Sequence, residues 1–244
     1  MNLCTDQLVY LLADRDQILS LSSIADDPHS SAIAEHASEL HQNTSDAEEI
    51  YLMQPDLVLA GQWTAQASVQ MLRDLDIPVE VFQPETTMDD IRNNIIKMGD
   101  ILGHPKRAQD MVNKFNADLD DLQSGITTRP RAALYYANGY TTGDQTLAGQ
   151  ILSAAGFENI ANEVGITWGA NMPLEQLVML QPDVVITGTV FPGSSRSEEI
   201  LSHPVLEPMR HVATTGAKWV CGTPFVIDAI KELQQQHPDK GAKE

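Results

Sequence analysis

A ten-residue segment that occurs twice is the strongest constraint on the fold of this chain. It reads LMQPDLVLAG at residues 52–61 and MLQPDVVITG at residues 179–188, and the two prolines lie 127 positions apart in a chain of 244 residues. Each copy has a helical pattern before the proline and an unbroken apolar run after it, which ends at a glycine. Apolar runs without alternation are typical of parallel strands that are buried on both faces. The duplication predicts two similar α/β lobes, although such a pattern also recurs by chance in α/β sequences.

Start signals precede both predicted helices of the repeat. Ser45 and Glu48 have the spacing of a capping box. Asn171 and Pro173 are start signals for the second helix. Each helix is expected to end before its QPD proline, because the residue before a proline is pushed out of the helical region.

Strands and helices alternate along most of the chain. Further strands are predicted at residues 17–23, 77–82, 132–137 and 218–220. This alternation favours mostly parallel sheets that are covered by helices. The sequence starts at what reads as the end of a strand leading into a helix, so a strand is expected to precede this point of the fold. The sequence contains no segment with the pattern of a signal peptide.

Residues 86–123 differ from the rest, because no strand is predicted there. One helix ends at Gly103, and a second begins at Pro105 and continues for about 19 residues, roughly 28 Å of helix. This second helix is either one more packed surface helix or a rigid strut that joins two lobes. We predict an N-terminal lobe at 1–84, a helical linker at 85–124 and a C-terminal lobe at 125–244.

Composition excludes several classes of protein. Apolar residues make up 42% of the chain and charged residues 20%, which is typical of a globular protein. The net charge of −19 argues against binding to nucleic acid, which depends on cationic side chains. It also argues against binding to anionic membrane surfaces.

Motifs for catalysis are absent from the sequence. There is no G-x-G-x-x-G after a strand, no G-x-x-x-x-G-K-[ST] and no G-x-S-x-G. The spacings of His29, His36 and His41 do not place them on one helical face, so we predict no metal site. We therefore predict neither catalytic residues nor a resident cofactor.

The two cysteines, Cys4 and Cys221, lie near opposite ends of the chain, and there is no C-x-x-C. They are either two free thiols in a reducing compartment or a disulfide in an oxidising one.

Aromatic residues form only 5% of the chain, and several of them lie at or just after the ends of predicted strands or in nearby loops. They are Trp63, Tyr135, Tyr136, Tyr140, Trp168 and Phe191. Ligands of open α/β sheets bind outside the carboxyl ends of the strands. Aromatic side chains there offer large rigid surfaces to a flat or bulky ligand. Without catalytic groups, this pattern favours a binding protein.

The order of these segments resembles the class III periplasmic substrate-binding proteins of ABC importers, which carry ferric siderophores, haem and cobalamin. The resemblance covers almost the whole chain and depends on six segments, namely NLCTDQLVYLLAD, AEEIYLMQPDLVLAG, DIRNNIIKMGDILGHPKRAQDMVNKF, NGYTTGDQTL, LEQLVMLQPDVVITG and WVCGTPFVIDAIKEL. It implies that the long helix after Pro105 bridges two lobes and that the ligand binds in the cleft between them.

The same resemblance implies which residues bind the ligand. Trp63 is expected to project from the first lobe into the cleft. Tyr140 and Trp168 are expected to face it from the second lobe, with Phe191 and Arg196 behind them. The expected ligand is a metal chelate, either a ferric siderophore or cobalamin.

The resemblance also implies a membrane partner. Family members place one exposed glutamate on each lobe to dock on permease arginines. Glu198 or Glu199 fits that position on the second lobe, whereas the first lobe has Gln66 there. Either another acidic residue replaces it, or docking differs in this protein.

Further expectations concern the state of the protein. It is expected to be a monomer in the periplasm, or tethered to the membrane outside the cytoplasm, with Cys4 and Cys221 joined as a disulfide.

Three alternatives remain open from the sequence. Haem is less favoured, because only Tyr140 is a candidate axial ligand. A second alternative is an α/β enzyme or metallocofactor protein with its site between the lobes, although two distant cysteines are few for a metal cluster. A third is a receptor for a bare metal ion, which needs convergent histidine and carboxylate ligands.

Overall fold

The computed structural model describes residues 1–188, 195–209, 211–213 and 216–237. The helices are α1 Leu3–Leu12, α2 Ala34–Ala37, α3 Ala47–Leu52, α4 Gln66–Asp74, α5 Met88–Leu102, α6 Pro105–Ser124, α7 Leu147–Ala154, α8 Leu174–Leu180 and α9 Val226–Gln235. The strands are β1 Leu21–Ser22, β2 Gln42–Asn43, β3 Val58–Gly61, β4 Val79–Phe82, β5 Arg131–Leu134, β6 Tyr140–Thr142, β7 Glu158–Asn159, β8 Gly169–Asn171, β9 Val184–Thr187 and β10 His211–Ala213. Of the described strand pairs, β6–β8 is antiparallel and the others are parallel. The predicted α/β class with mostly parallel sheets is confirmed.

The chain forms two compact units. The first consists of Met1–Phe115 and Val220–Phe225, and the second of Asn116–Trp219 and Val226–Glu244. Within the described ranges, no helix combines the length and the hydropathy that crossing a bilayer requires.

These units divide the chain differently from the predicted boundaries. The predicted linker at 85–124 is shared between them, because α5 packs against α1 of the first unit and buries Ile91, Ile95 and Met98 completely. The segment Val220–Phe225 joins the first unit although it lies far along the chain, and a disulfide described below holds it there.

The two long helices have the predicted bounds. α5 ends at Gly103, which has a φ of +76° that a residue with a side chain adopts only under strain. α6 starts at Pro105 and runs for 20 residues, and the boundary between the units falls after Phe115 within it. A proline in the first helical turn costs no hydrogen bond.

The first unit contains two separate parallel pairs, β1–β2 and β3–β4. The strand predicted at 17–23 is mostly wrong. Only Leu21–Ser22 form a strand there, between 3-10 helices at Arg15–Gln17 and Ser23–Asp26. A buried carboxylate in α1 explains part of this irregularity, because Asp6 accepts hydrogen bonds from both the backbone N–H and the hydroxyl of Ser22. Burial raises the pKa of Asp6 above its usual range.

The capping box predicted at Ser45 is also wrong. Ser45 has a φ of +66°, and Asp46 occupies the cap position of α3. Thr44 makes the contacts instead, since its N–H and its hydroxyl donate to the carboxylate of Glu49 at 2.8 Å and 2.7 Å. Neither bond caps a backbone N–H of α3, so the predicted reciprocal exchange is not formed.

Both copies of the repeat end their helix in the same way. The glutamine before each proline takes a left-handed conformation, with φ of +51° at Gln54 and +47° at Gln181. Helix α3 ends at Leu52 and helix α8 at Leu180, so both helices stop before the proline, as the Q-P-D pattern predicts.

The second unit has a four-stranded sheet with the order β10-β9-β5-β7, and the centre of β9 is fully buried. The strand predicted at 218–220 is wrong, because Gly216–Lys218 form a 3-10 helix. Lys218 donates to the carboxylate of Glu232 on α9 at 2.5 Å, so this segment is bonded to a helix.

An ion pair at the start of β5 gives a test of stability against pH. The guanidinium of Arg131 binds both carboxylate oxygens of Glu163, at 2.9 Å and 2.8 Å, and this contact lowers the pKa of Glu163. A lowered carboxylate pKa adds stability above the unfolded-state pKa, and that stability is lost as the pH falls through the folded-state pKa. Both side chains are about one-third exposed, so we expect Glu163→Gln to cost only about 0.5–1 kcal/mol at pH 7.

The measurement is urea unfolding of both proteins at pH 7 and at pH 3. The difference between them should shrink at pH 3, because lowering the pH moves the wild-type carboxylate toward its neutral form. An equal difference at both pH values would contradict the assignment.

Candidate functional site

The first unit presents Trp63 in a short loop directly after β3. The side chain of Trp63 is 79% exposed. The loop is fixed by Thr64, whose hydroxyl accepts from the N–H of Gly61 at 2.9 Å and donates to the carbonyl of Met1 at 3.2 Å. A large exposed indole thus sits at the carboxyl end of a parallel strand on a braced backbone.

Gln66 braces the same loop from the first turn of α4. Its amide nitrogen donates to the carbonyls of Gln62 and Thr64, at 2.8 Å and 3.1 Å. The side chain is exposed, but it is bonded to its own loop. Its proposed role in docking stays a prediction.

The two tyrosines after β5, Tyr135 and Tyr136, have different surroundings. Tyr135 is fully buried and its hydroxyl donates to the carbonyl of Met172 at 3.1 Å, so Tyr135 is a core residue and not a ligand-facing one. Tyr136 lies against Gly188, the residue that follows β9. Burial and the neighbouring Tyr140 raise the pKa of Tyr136 well above its ordinary value, so its phenol is neutral at physiological pH.

The ribbon β6–β8 carries the other two predicted aromatic residues. Tyr140 is 43% exposed and Trp168, just before β8, is 55% exposed. A side chain at Gly169 would overlap the Tyr140 hydroxyl, so this glycine makes room for the phenol beside Trp168.

The backbone before Trp168 is held by a glycine-containing loop. The N–H of Gly143 donates to the carbonyl of Trp168 at 2.7 Å, and the N–H of Gln145 donates to the carbonyl of Thr167 at 2.8 Å. A Cβ atom at Gly143 would overlap the backbone of Ile166 and Thr167. The sequence analysis missed Gly143 and Gly169 as positioning residues, and the only signal for them was their place in NGYTTGDQTL and TWGAN.

The remaining predicted site residues lie in one segment of the second unit. Phe191 falls outside the described residues. Arg196 and Glu199 are exposed, and Glu198 is half-buried. The carbonyl of Ser197 accepts from the N–H of Asn138 at 2.7 Å, which ties this segment to the turn before β6.

Cys4 and Cys221 are joined in a disulfide in the first unit, with their Cα atoms 5.1 Å apart. This is the pairing that the resemblance implied. Cys4 lies in the first turn of α1, whose N-terminus is capped by the side chain of Asn2. The disulfide therefore anchors the segment Val220–Phe225 near the start of that helix.

Each unit thus offers exposed aromatic surface, the first in the loop after β3 and the second on the β6–β8 ribbon. In the part of the chain that the structure describes, no group of three histidine, cysteine or acidic residues is placed to hold a metal ion. Exposed indole and phenol rings suit a bulky and partly flat ligand, which they contact over a large area.

Comparison with known families and sequences agrees with this arrangement. The family described as "Periplasmic binding protein" matches residues 1–215. A "Cobalamin-binding protein" of Halobacterium salinarum is 28% identical over 193 residues, which cover 77% of this chain and 52% of that protein. The chain therefore spans about half the length of this relative. A "Vitamin B12-binding protein" of Yersinia pestis is 26% identical over 239 residues, which cover 95% of this chain and 82% of the relative.

Solved structures share the fold at low sequence identity. The periplasmic heme-binding protein RhuT of Roseiflexus sp. RS-1 has a TM-score of 0.76 and 19% identity, with 96% of each chain covered. The periplasmic vitamin B12-binding protein BtuF of Vibrio cholerae has a TM-score of 0.69 and 18% identity, covering 100% of this chain and 96% of its own. At these identities the likeness concerns the fold alone.

Proposed function

Because the chain belongs to the periplasmic binding protein family, we propose that it is the receptor of an ABC importer. It captures a metal chelate, either cobalamin or a ferric siderophore, and delivers it to a permease in the membrane. It does so without catalysis. The observation that carries the proposal is the exposure of Trp63 after β3 and of Tyr140 and Trp168 on the β6–β8 ribbon.

The names of the sequence relatives favour cobalamin among these chelates. The relatives from Halobacterium salinarum and Yersinia pestis are both named for binding cobalamin or vitamin B12. A ferric siderophore is the second candidate, because one structural neighbour belongs to an Fe3+-hydroxamate transport system. Haem is a third, with Tyr140 as the axial ligand, and four structural neighbours are named as heme-binding proteins.

The proposed location is outside the cytoplasm. The disulfide between Cys4 and Cys221 supports it, since disulfides persist in oxidising compartments.

Docking on the permease is proposed to use acidic residues of both units. On the second unit these are Glu198 and Glu199. On the first unit the Gln66 side chain is bonded to its own loop, and the Glu49 carboxylate is bonded to Thr44, but the exposed Glu48 lines a groove between α3 and the start of α4. Carboxylates at these positions suit the arginines of a permease.

Direct titration with candidate ligands tests the receptor proposal. We expect cobalamin to bind with micromolar or tighter affinity, and Trp168→Ala and Trp63→Ala each to weaken binding about tenfold or more, because buried aromatic contacts dominate such interfaces. Equilibrium dialysis against cobalamin, a ferric hydroxamate siderophore and haemin gives the affinities without depending on tryptophan fluorescence.

Tyr51→Ala is the matched control, because Tyr51 is a 46% exposed aromatic residue on α3. It should leave the affinity unchanged. Binding of a bare metal ion with no response to any chelate would contradict the proposal, and so would equal losses in all three variants.

A further inference from the structure

The ribbon β6–β8 of the second unit has two faces of different character. Thr141 lies on the inner face, where it is 1% exposed and its hydroxyl donates to the carbonyl of Leu134 at 2.5 Å. Successive residues of a strand point to opposite faces, so Tyr140 and Thr142 lie on the outer face. The inner face therefore belongs to the core, and the outer face carries the exposed phenol of Tyr140.

The register of the ribbon adds two residues of β8 to the outer face. Tyr140 is paired with Asn171, and Thr142 is paired with Gly169. Residues that are directly opposite in an antiparallel pair have their side chains on the same face, with Cβ atoms about 5 Å apart. These four residues therefore form one patch, which we call the outer patch of the ribbon.

Gly169 leaves a recess in the middle of the outer patch. A Cβ atom at this position would overlap the hydroxyl and the ring of Tyr140, so the phenol lies where a side chain of residue 169 would lie. The Tyr140 side chain is 43% exposed, and its hydroxyl makes no hydrogen bond within the described ranges. Rotation of the phenol to another χ1 rotamer thus breaks no hydrogen bond and opens the recess.

Thr142 contributes a buried hydroxyl that has no hydrogen-bond partner in the part of the chain that the structure describes. The residue is 7% exposed, and it lies opposite Gly169, the position that the phenol covers. Buried polar groups nearly always have a partner, because an unpaired group loses its bonds to water without replacing them. A ligand group that enters the recess would supply that partner.

Asn171 contributes a hydrogen-bond acceptor whose direction is fixed. Its Nδ2 donates to the carbonyl of Asn138 at 2.9 Å, and only the nitrogen of a side-chain amide can make this bond. The residue is exposed, and its Oδ1 accepts from none of the described residues. The outer patch thus offers an acceptor at Asn171 and a hydroxyl at Thr142, at diagonal positions about 7 Å apart.

The polar groups of the outer patch are neutral, and together they select one kind of ligand group. Oδ1 of Asn171 requires a donor, whereas the Thr142 hydroxyl can donate to an acceptor. A primary amide carries both, since its NH2 donates and its carbonyl oxygen accepts. A carboxylate carries acceptors alone, so it would leave Oδ1 of Asn171 facing a second acceptor.

We propose that the outer patch of the ribbon is a subsite for a primary amide of the ligand. On binding, the phenol of Tyr140 turns away from Gly169 and the amide takes its place. The amide carbonyl accepts from the Thr142 hydroxyl, and the amide NH2 donates to Oδ1 of Asn171.

This inference rests on the proposed function and narrows its ligand class. Cobalamin carries several primary amides around its corrin ring, whereas haem carries propionate carboxylates at its edge. The subsite therefore favours cobalamin over haem.

The first test changes the ligand. Equilibrium dialysis compares cobalamin with its monocarboxylic acids, in each of which one primary amide is hydrolysed to a carboxylate. We expect one of these acids to bind the wild-type protein about tenfold more weakly than cobalamin. In Asn171→Leu that ratio should fall to about twofold or less. If Asn171 only held the turn at Asn138, the variant would weaken both ligands equally and leave the ratio unchanged.

The second test removes the buried hydroxyl. Thr142→Val keeps the shape of the side chain and removes an unpaired polar group, so the melting temperature should stay the same or rise. The affinity for cobalamin should nevertheless fall about three- to tenfold. Thr141→Val is the matched control, because it removes a hydroxyl that is bonded in the core. It should lower the melting temperature and leave the affinity unchanged.

The outcomes separate this inference from the proposed function. Suppose that the wild-type protein binds cobalamin, that Thr142→Val binds it equally well and that every monocarboxylic acid binds like cobalamin. The subsite is then overturned and the receptor proposal is unaffected. Binding of haemin without binding of cobalamin would also overturn the subsite alone. Binding of no chelate would overturn both.

Discussion

Replacing Cys4 and Cys221 together by serine is expected to lower the free energy of unfolding by about 2–5 kcal/mol. The disulfide joins residues 217 positions apart and thereby restricts the unfolded chain over almost its whole length. It also holds Cys221, which is 1% exposed, in a core cluster with Leu3, Leu21 and Ile33. Without the bond, the segment Val220–Phe225 keeps its packing but loses its covalent anchor on α1.

Urea unfolding followed by circular dichroism, with and without reductant, measures this effect. Reductant should lower the midpoint of the wild-type protein to that of the double serine variant, and it should not change the variant. A wild-type midpoint that is the same with and without reductant would contradict the expectation. Mass analysis of tryptic peptides, before and after reduction, establishes independently whether the bond is formed.

The parts of the fold that the sequence predicts well are those set by local rules. Gly103 and Pro105 define the ends of α5 and α6, because a left-handed residue ends a helix and a proline starts one. The Q-P-D pattern predicts both helix ends of the repeat for the same reason. The irregular segment around Leu21 was mispredicted as one long strand, because its path depends on a carboxylate from α1, distant in sequence.

In the candidate site, too, the sequence predicts the features that depend on local patterns and misses those that depend on contacts between distant residues. The search for aromatic residues at strand ends and in nearby loops was enough to find Trp63, Tyr140 and Trp168, which are all exposed. The sequence could not show which of Tyr135 and Tyr136 has its side chain in the core, since successive residues of an extended chain point to opposite faces. The buried hydrogen bond from Tyr135 to Met172 shows that Tyr135 is the core residue. This bond joins residues 37 positions apart, so local sequence patterns do not predict it.

The repeat itself has a structural meaning that the sequence alone could not supply. Both copies have an aspartate at the same position, Asp56 and Asp183, but the role of this residue depends on a neighbouring strand. In the second unit Asp183 holds Arg131 at the start of β5, 52 positions away in the chain. Local sequence patterns likewise do not predict the role of Gly143 and Gly169, because the atoms for which these glycines make room belong to residues distant in sequence.

Replacing Gly143 by alanine is expected to lower the free energy of unfolding by about 1–3 kcal/mol, the usual cost of forcing a methyl group into a packed site. The methyl group would overlap the backbone of Ile166 and Thr167, which cannot rotate away as a flexible side chain could. Relief requires the segment before Trp168 to move and its hydrogen bond with Gly143 to lengthen. On the proposed function, the same displacement weakens chelate binding.

Gly125→Ala is the matched control, because a Cβ atom at Gly125 has no neighbour within 4 Å. It should leave stability unchanged or raise it by about 0.4–1 kcal/mol, because alanine restricts the unfolded chain. Urea unfolding and equilibrium dialysis are made on both variants. Equal stability of the two would contradict the packing role of Gly143. A loss of stability in Gly143→Ala with unchanged chelate affinity would separate that packing role from ligand binding, and would place the ligand away from Trp168.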